Sequence, residues 1–188
     1  IVRHTGQTDQ ALLRLTWPTR DDADLIETLT LQLLERVVRV ELTDTLREAL
    51  GKAYSPGAAS AMSHVWKGYG TFDITASIDV RDAAATRAAI TKVMAQLRDA
   101  PIDSDVLQRA RQPMIESYQN ALKTNGGWVT LVRRAQSETD RISRFSEMNA
   151  RLLAITPSDL QRAAKRYLDP AAGLEVLVLP EGVPPPAP

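Results

Sequence analysis

A guanidinium and a phenol stand seven residues apart in the segment Leu46-Arg47-Glu48-Ala49-Leu50-Gly51-Lys52-Ala53-Tyr54-Ser55. Arg47 lies near the predicted C-terminus of a helix, Gly51 is a typical helix stop, and Tyr54 begins the next strand. Arginine offers forked donors and tyrosine one more, so the pair can converge on a bound carbonyl or carboxylate. A structural interpretation is also open, in which Arg47 binds its own helix's last carbonyls and Tyr54 is half-buried on the sheet.

Metal and nucleophile chemistry has few candidate residues in this sequence. His4 and His64 are the only histidines, and neither lies in an H-x-x-E-H or H-E-x-x-H motif. Ser63 precedes His64, but adjacent residues of a strand point to opposite faces, which argues against a Ser-His pair. The absence of cysteine excludes disulfides, thiolate zinc sites and cysteine nucleophiles. We therefore predict no zinc or thiol catalytic machinery and no metal ligands in this chain.

Glycine-rich and acidic segments have structural explanations. Gly68-Tyr69-Gly70 lies between two predicted strands and does not open a helix, so it does not resemble a phosphate-binding loop. Asn125-Gly126-Gly127 is typical of a helix end. The acidic pairs fall at helix starts, where carboxylates suit the positive end of the helix dipole; they are Asp21 with Asp22 and Asp103 with Asp105.

The composition is that of one ordinary domain. At 188 residues the chain is long enough to bury a full core, and 23 basic against 23 acidic side chains leave no formal net charge. No basic stripe with interleaved aromatics is present, so nucleic-acid binding is not expected. No apolar run approaches the ~20 residues that cross a bilayer. The missing initiator Met suggests a processed chain or an excised piece of a longer one.

Hydrophobic periodicity predicts the order strand, helix, two strands, several helices, strand. The predicted elements are a strand over 11–17, a helix from Asp21-Asp22 to Gly51, an edge strand with a bulge within 53–63, a strand over 71–78, helices starting at Asp82, Asp103 and Thr156, a helix from Trp128 towards Phe145, a short helix around Leu152, and a strand over 174–179 buried on both faces. Pro113 is expected to kink the third helix. The order predicts an α+β fold with helices on one face of a mixed, mainly antiparallel sheet. Residues 1–180 form the single predicted domain, and 181–188 a Pro-rich flexible tail.

Several ordered motifs resemble the pitrilysin/insulinase family of zinc peptidases, the inverzincins. The segment that carries Arg47 and Tyr54 is similar to "L-R-E-x-L-G-x-A-Y-S" in the C-terminal-type domains of that family. Further motifs follow the same order over most of the chain: His4-x-Gly6-x-x-Asp9-Gln10-Ala11 with a strand to Trp17-Pro18, Asn125-Gly126-Gly127-Trp128, and Ile155-Thr156-Pro157-Ser158-Asp159-Leu160 with Ala163-Ala164-x-x-Tyr167-Leu168.

The resemblance implies a non-catalytic, C-terminal-type domain of a zinc metalloendopeptidase. In this family, homologous α+β domains enclose a large chamber, and a catalytic domain binds zinc through H-x-x-E-H and a distal glutamate. Zinc would therefore belong to a homologous catalytic domain on the parent polypeptide or a partner subunit. Arg47 and Tyr54 match the arginine and tyrosine that hold the peptide substrate and stabilise the oxyanion. Lys52 departs from the subgroup in which Tyr directly follows Leu-Gly.

The resemblance also sets the other expectations. This fragment alone is expected to be inactive and the parent to be an active peptidase, located in the periplasm or, alternatively, the cytoplasm. Two other functions stay open. One is a catalytically inert structural or assembly subunit with the same fold, as in core proteins of a respiratory complex. The other is a peptide-binding module that uses an exposed edge strand. An H-x-x-E-H motif upstream of Ile1 would distinguish the peptidase from the scaffold.

Overall fold

The computed structural model describes residues 1–51 and 56–185, where two strand pairs flank the first long helix and a run of five helices precedes the last strand. The strands are β1 (Val2–His4), β2 (Gln10–Thr19), β3 (Gly57–Met62), β4 (Gly70–Asp79) and β5 (Leu174–Pro180). The helices are α1 (Leu25–Leu50), α2 (Ala83–Asp99), α3 (Ser104–Ala121), α4 (Asn125–Val132), α5 (Arg141–Ala154) and α6 (Pro157–Tyr167). The predicted α+β class is confirmed, and none of the described helices is long and apolar enough to span a membrane.

All five strands form one sheet in the order β1-β5-β2-β4-β3. β1 pairs with β5 in parallel, and the other three neighbouring pairs are antiparallel. The sheet is therefore mixed and mainly antiparallel, as predicted. β3 is an edge strand, also as predicted, but its register with β4 is continuous from Gly57 to Met62 and contains no bulge. The sequence did not predict β1, because a three-residue strand is too short to show a hydrophobic period.

The core lies between the helices and one face of the sheet. The sheet contributes side chains at alternating positions of its central strands, among them Leu13, Trp17, Phe72 and Ile74. Helix α1 contributes the largest helical share, namely Leu29, Leu31, Leu33, Leu34, Val37, Val38, Leu42 and Leu46. The other sheet face is more polar. There Arg14 forms an ion pair of 2.8 Å with Asp73, whose carboxylate also accepts a hydrogen bond from Thr16.

β5 is less buried than predicted. Leu177 and Leu179 lie in the core, but Leu174 is 64% exposed, and Val176 and Val178 are only half-buried. The prediction of a strand buried on both faces was wrong because the helices cover a single face of the sheet.

Two helix starts show which acidic residues act as caps. Helix α1 was predicted to start at Asp21 and Asp22, but its cap is Asp24. The Asp24 carboxylate accepts hydrogen bonds from the N–H groups of Ile26 at 2.8 Å and Glu27 at 3.1 Å. Helix α6 confirms its predicted start. Thr156 and Asp159 form a reciprocal capping box that spans Pro157 in the first turn.

The Asn125-Gly126-Gly127 segment begins a helix instead of ending one. Thr124 is the N-cap of α4, and its hydroxyl accepts a hydrogen bond of 3.2 Å from the Gly127 N–H. The predicted helix stop is therefore wrong. The preceding helix α3 already ends at Ala121, and the first turn of α4 packs against that end.

The predicted helix from Trp128 towards Phe145 is divided in two. Helix α4 ends at Val132, and α5 starts at Arg141. The Arg141 guanidinium donates hydrogen bonds of 2.7 Å to the Leu131 carbonyl and 2.9 Å to the Thr130 carbonyl. These bonds satisfy carbonyl groups that the end of α4 leaves unpaired.

Candidate functional site

Arg47 lies in the last turn of α1 with its guanidinium in solvent. Its side chain is 67% exposed, and its ion pair with Asp44 is stretched to 4.0 Å. Gly51 ends the helix at φ 60° and donates its N–H to the Arg47 carbonyl at 3.0 Å. Glycine adopts this left-handed conformation without steric penalty. The helix stop thus fixes the backbone of Arg47 while its side chain stays accessible.

The carboxylate beside Arg47 is shared with a second arginine. Arg109 of α3 lies 3.5 Å from Asp44 and 3.0 Å from Asp105. Burial, followed by the charge of Asp44, raises the pKa of the neighbouring Glu41. Exposed ion pairs of this kind contribute about 0–1 kcal/mol. Arg47 can therefore exchange Asp44 for another acceptor at small energetic cost.

Tyr54, the other predicted site residue, lies within residues 52–55, outside the described part of the chain. The flanking elements are described: Gly51 ends α1, and β3 starts at Gly57. The convergence of Arg47 and Tyr54 on one ligand therefore stays a prediction.

Both histidines make structural contacts. His4 accepts a hydrogen bond of 3.0 Å from the Gly6 N–H through Nδ1, and its Nε2 lies 3.0 Å from the Gln10 carbonyl oxygen. His64, in the β3–β4 connection, lies 3.0 Å from the Asp22 carboxylate and 3.6 Å from that of Glu138. Among the described residues, no group of three histidines or acids is arranged to hold a metal ion. The described chain thus does not fit a zinc site.

A groove that the sequence did not predict lies between α1, α5 and α6. It has a volume of about 870 Å³, and its charged lining residues are Arg20, Asp24, Glu27, Arg151, Asp159, Arg162, Lys165 and Arg166. The Tyr167 hydroxyl donates a hydrogen bond to the Glu27 carboxylate, with which Arg166 forms an ion pair of 2.8 Å. Through these two contacts Glu27 links α1 to α6. The helical spacing of the cations in α6 is the one sequence signal for this groove.

Tyr167 makes this link sensitive to alkaline pH. Burial, then the hydrogen bond from Tyr167 to Glu27 and the Glu27 charge, raise the pKa of Tyr167 to about 12. An unfolded tyrosine titrates near pH ~10. The stabilisation from the protonated phenol is therefore complete below pH ~10 and is lost as the pH rises through the folded pKa of about 12.

Replacing Tyr167 by phenylalanine is expected to remove this dependence. Between about pH 9 and pH 12, the wild-type chain should lose on the order of 1–2 kcal/mol more stability than Tyr167→Phe. Urea denaturation across this range measures the difference, which isolates Tyr167 from the other groups that titrate there. If the free energies of unfolding of the two proteins fall in parallel with pH, Tyr167 is not the source of this pH dependence.

The sequence comparison identifies one family. The model described as "Peptidase M16 inactive domain" matches residues 1–114, from β1 into α3, and this region includes Arg47 and Tyr54. No curated protein sequence matches the chain.

Solved structures share the fold over nearly the whole chain. The periplasmic protease PqqL from Escherichia coli covers 96% of this chain and 20% of its own, with a TM-score of 0.76 and 15% identity. A protease from Helicobacter pylori covers 95% and 43%, with a TM-score of 0.77 and 16% identity. A peptidase M16 inactive domain from Pseudomonas fluorescens covers 98% and 44%, with a TM-score of 0.78 and 14% identity. The chain therefore spans less than half the length of each of these proteins.

Proposed function

Because the chain belongs to the M16 peptidase family as an inactive domain, we propose that it is the non-catalytic, substrate-binding and chamber-forming part of a zinc metalloendopeptidase. Its partner is a homologous catalytic domain, on the same polypeptide or on another subunit, and that domain holds the zinc. Two observations support this division. The described residues offer no three-ligand metal group, and the three similar structures from Escherichia coli, Helicobacter pylori and Pseudomonas fluorescens extend well beyond the region that this chain covers.

The observation that carries the proposal is the accessible guanidinium of Arg47 at the C-terminal end of α1. A weakly paired, solvent-exposed arginine on a fixed helix end can bind a carbonyl or carboxylate that approaches from outside the domain. In the assembled enzyme, Arg47 donates hydrogen bonds to the peptide backbone near the cleavage point, and Tyr54 adds a phenolic donor. Donors aimed at a developing oxyanion stabilise the transition state more than the ground state.

In the assembled peptidase, Arg47→Ala is expected to lower kcat by about a hundredfold, the loss typical of an oxyanion donor. Its stability should change by less than about 0.5 kcal/mol, because the side chain is exposed. Cleavage of a fluorescence-quenched peptide and urea denaturation measure the two effects. Arg109→Ala is the matched control, since it removes another arginine that pairs with Asp44. An unchanged cleavage rate for Arg47→Ala would exclude Arg47 from the mechanism.

The competing function as an inert assembly subunit makes the opposite prediction for the complete assembly. If the chain and its partner domain hydrolyse no peptide while zinc is supplied, the scaffold is favoured. Stoichiometric zinc binding by residues 1–188 alone would contradict both functions. We also propose a periplasmic location, which is supported by the similar fold of the periplasmic protease PqqL; cell fractionation tests this location.

A further inference from the structure

Among the residues that the structure describes, strand β3 has one strand beside it. In the sheet order β1-β5-β2-β4-β3, its neighbour is β4, and the two pair residue by residue from Gly57 to Met62. In an antiparallel ladder, alternate residues direct their N–H and C=O groups away from the partner strand. Such an edge is a ready template for an added strand from an extended peptide.

Two side chains of α1 occupy this edge. The Arg39 guanidinium donates a hydrogen bond of 2.7 Å to the Ala58 carbonyl, and the Ser60 N–H donates to the Glu35 carboxylate. Ala58 and Ser60 are two residues apart, so their outward groups lie on the same side of the strand. Glu35 and Arg39 are one helical turn apart and lie 3.9 Å from each other. Arg39 and Glu35 therefore occupy the Ala58 carbonyl and the Ser60 N–H, an acceptor and a donor that an added strand would need.

Ser63, just beyond the end of β3, does not add to this cover. Its N–H donates a hydrogen bond of 3.0 Å to the Tyr69 carbonyl, so its backbone groups face the β4 side, where its carbonyl accepts a hydrogen bond of 3.1 Å from the Asp22 N–H. The free edge is therefore covered at Ala58 and Ser60.

We propose that Glu35 and Arg39 close the free edge of β3 against strand addition by an extended peptide. A competing peptide would have to displace both side chains at once. It would replace a charge-assisted bond from Ser60 to a carboxylate by a weaker bond to a neutral carbonyl. It would also leave the Glu35 side chain, which is only 16% exposed, without its backbone partner.

Closure of this edge has a consequence for peptide binding, and this consequence rests on the proposed function. An open strand edge would pair with the backbone of an extended substrate and compete with the side-chain contacts of the proposed function. With β3 closed, this domain contacts peptide through side chains such as Arg47 rather than through a backbone ladder. The closure itself also argues against a free-standing module that binds peptides by strand addition.

The double variant Glu35→Ala/Arg39→Ala tests the closure in the chain of residues 1–188. The probe is a fluorescein-labelled peptide of alternating threonine and valine with capped termini, and its binding is measured by fluorescence anisotropy. The double variant is expected to bind the probe at least about tenfold more tightly than the wild type. Hydrogen exchange should show that bound peptide protects residues 57–62 in the variant. The matched control is Glu147→Ala/Arg151→Ala, which removes an i,i+4 pair of the same composition from α5.

Equal peptide binding by the wild type and the double variant would overturn the proposal, as would protection of residues 57–62 by peptide in the wild type. A second measurement needs no variant. The Ser60 amide of the wild type should exchange at least about tenfold more slowly than an unprotected amide, because Glu35 accepts a hydrogen bond from its N–H. Free exchange at Ser60 would also overturn the closure. Neither assay involves peptidase activity, so failure here is distinguishable from failure of the Arg47 experiment.

Discussion

Gly127→Ala is expected to destabilise the domain by about 3 kcal/mol, at the upper end of the usual overpacking effect. A Cβ atom at Gly127 would lie 1.4 Å from the carbonyl oxygen of Ala121 and 2.5 Å from its carbonyl carbon. Both atoms belong to the backbone at the end of α3, so no side-chain rotation relieves the clash. The first turn of α4 would have to move away from α3.

Gly126 provides the matched control for this substitution. A Cβ atom there meets only the Thr124 hydroxyl, at 4.0 Å. Because alanine favours a helix by up to about 1 kcal/mol over glycine, Gly126→Ala is expected to be neutral or slightly stabilising. Urea denaturation of the two variants measures the contrast. Equal stabilities would show that the packing of α4 on α3 does not require a glycine.

Phe72→Ala is expected to cost about 3–5 kcal/mol of folding stability, the range for loss of a buried phenylalanine. Phe72 is fully buried in β4, between Trp17 of β2 and Ser60 of β3 in the sheet register. Truncation would leave a cavity against α1 and the sheet that neighbouring side chains can fill only in part. The same loss should appear as a lower midpoint of thermal unfolding.

Ser77→Ala is the control for Phe72→Ala, because Ser77 is an exposed residue on the same strand. Its effect is expected to stay within about 0.5 kcal/mol. A loss below about 1 kcal/mol for Phe72→Ala would mean that the core collapses around the missing ring.

Local signals predicted the elements whose ends are determined by nearby residues. The capping box of Thr156 and Asp159 lies within one helical turn, so the sequence alone identified it. The start of α1 was different: it was predicted at Asp21 and Asp22, and Asp24 was not considered although aspartate there can also cap a helix. The choice depends on distant contacts: the Gly68 N–H bonds to Asp21, and His64 pairs with Asp22. Asp24 is then the residue that caps the helix.

The strand order and part of the site depend on contacts between residues far apart in the chain. β1 pairs with β5 through Val2 and Val178, and no local pattern encodes a pairing of that separation. Arg47 was predicted as a candidate from its motif. The contacts of Glu35 and Arg39 were missed because, in sequence, they resemble an ordinary helical ion pair. Their relation to β3 becomes visible only once the sheet order places that strand at the edge.

The parallel pairing of β1 with β5 also determines how the fold bears mechanical load. The chain enters at the start of β1 and leaves at the end of β5, and the two strands run in the same direction. Tension between the two ends would therefore shear their hydrogen bonds together rather than unzip them one at a time. Arg3 reinforces this junction by donating a hydrogen bond of 3.1 Å to the Pro180 carbonyl, so the last strand resists being pulled away from the first.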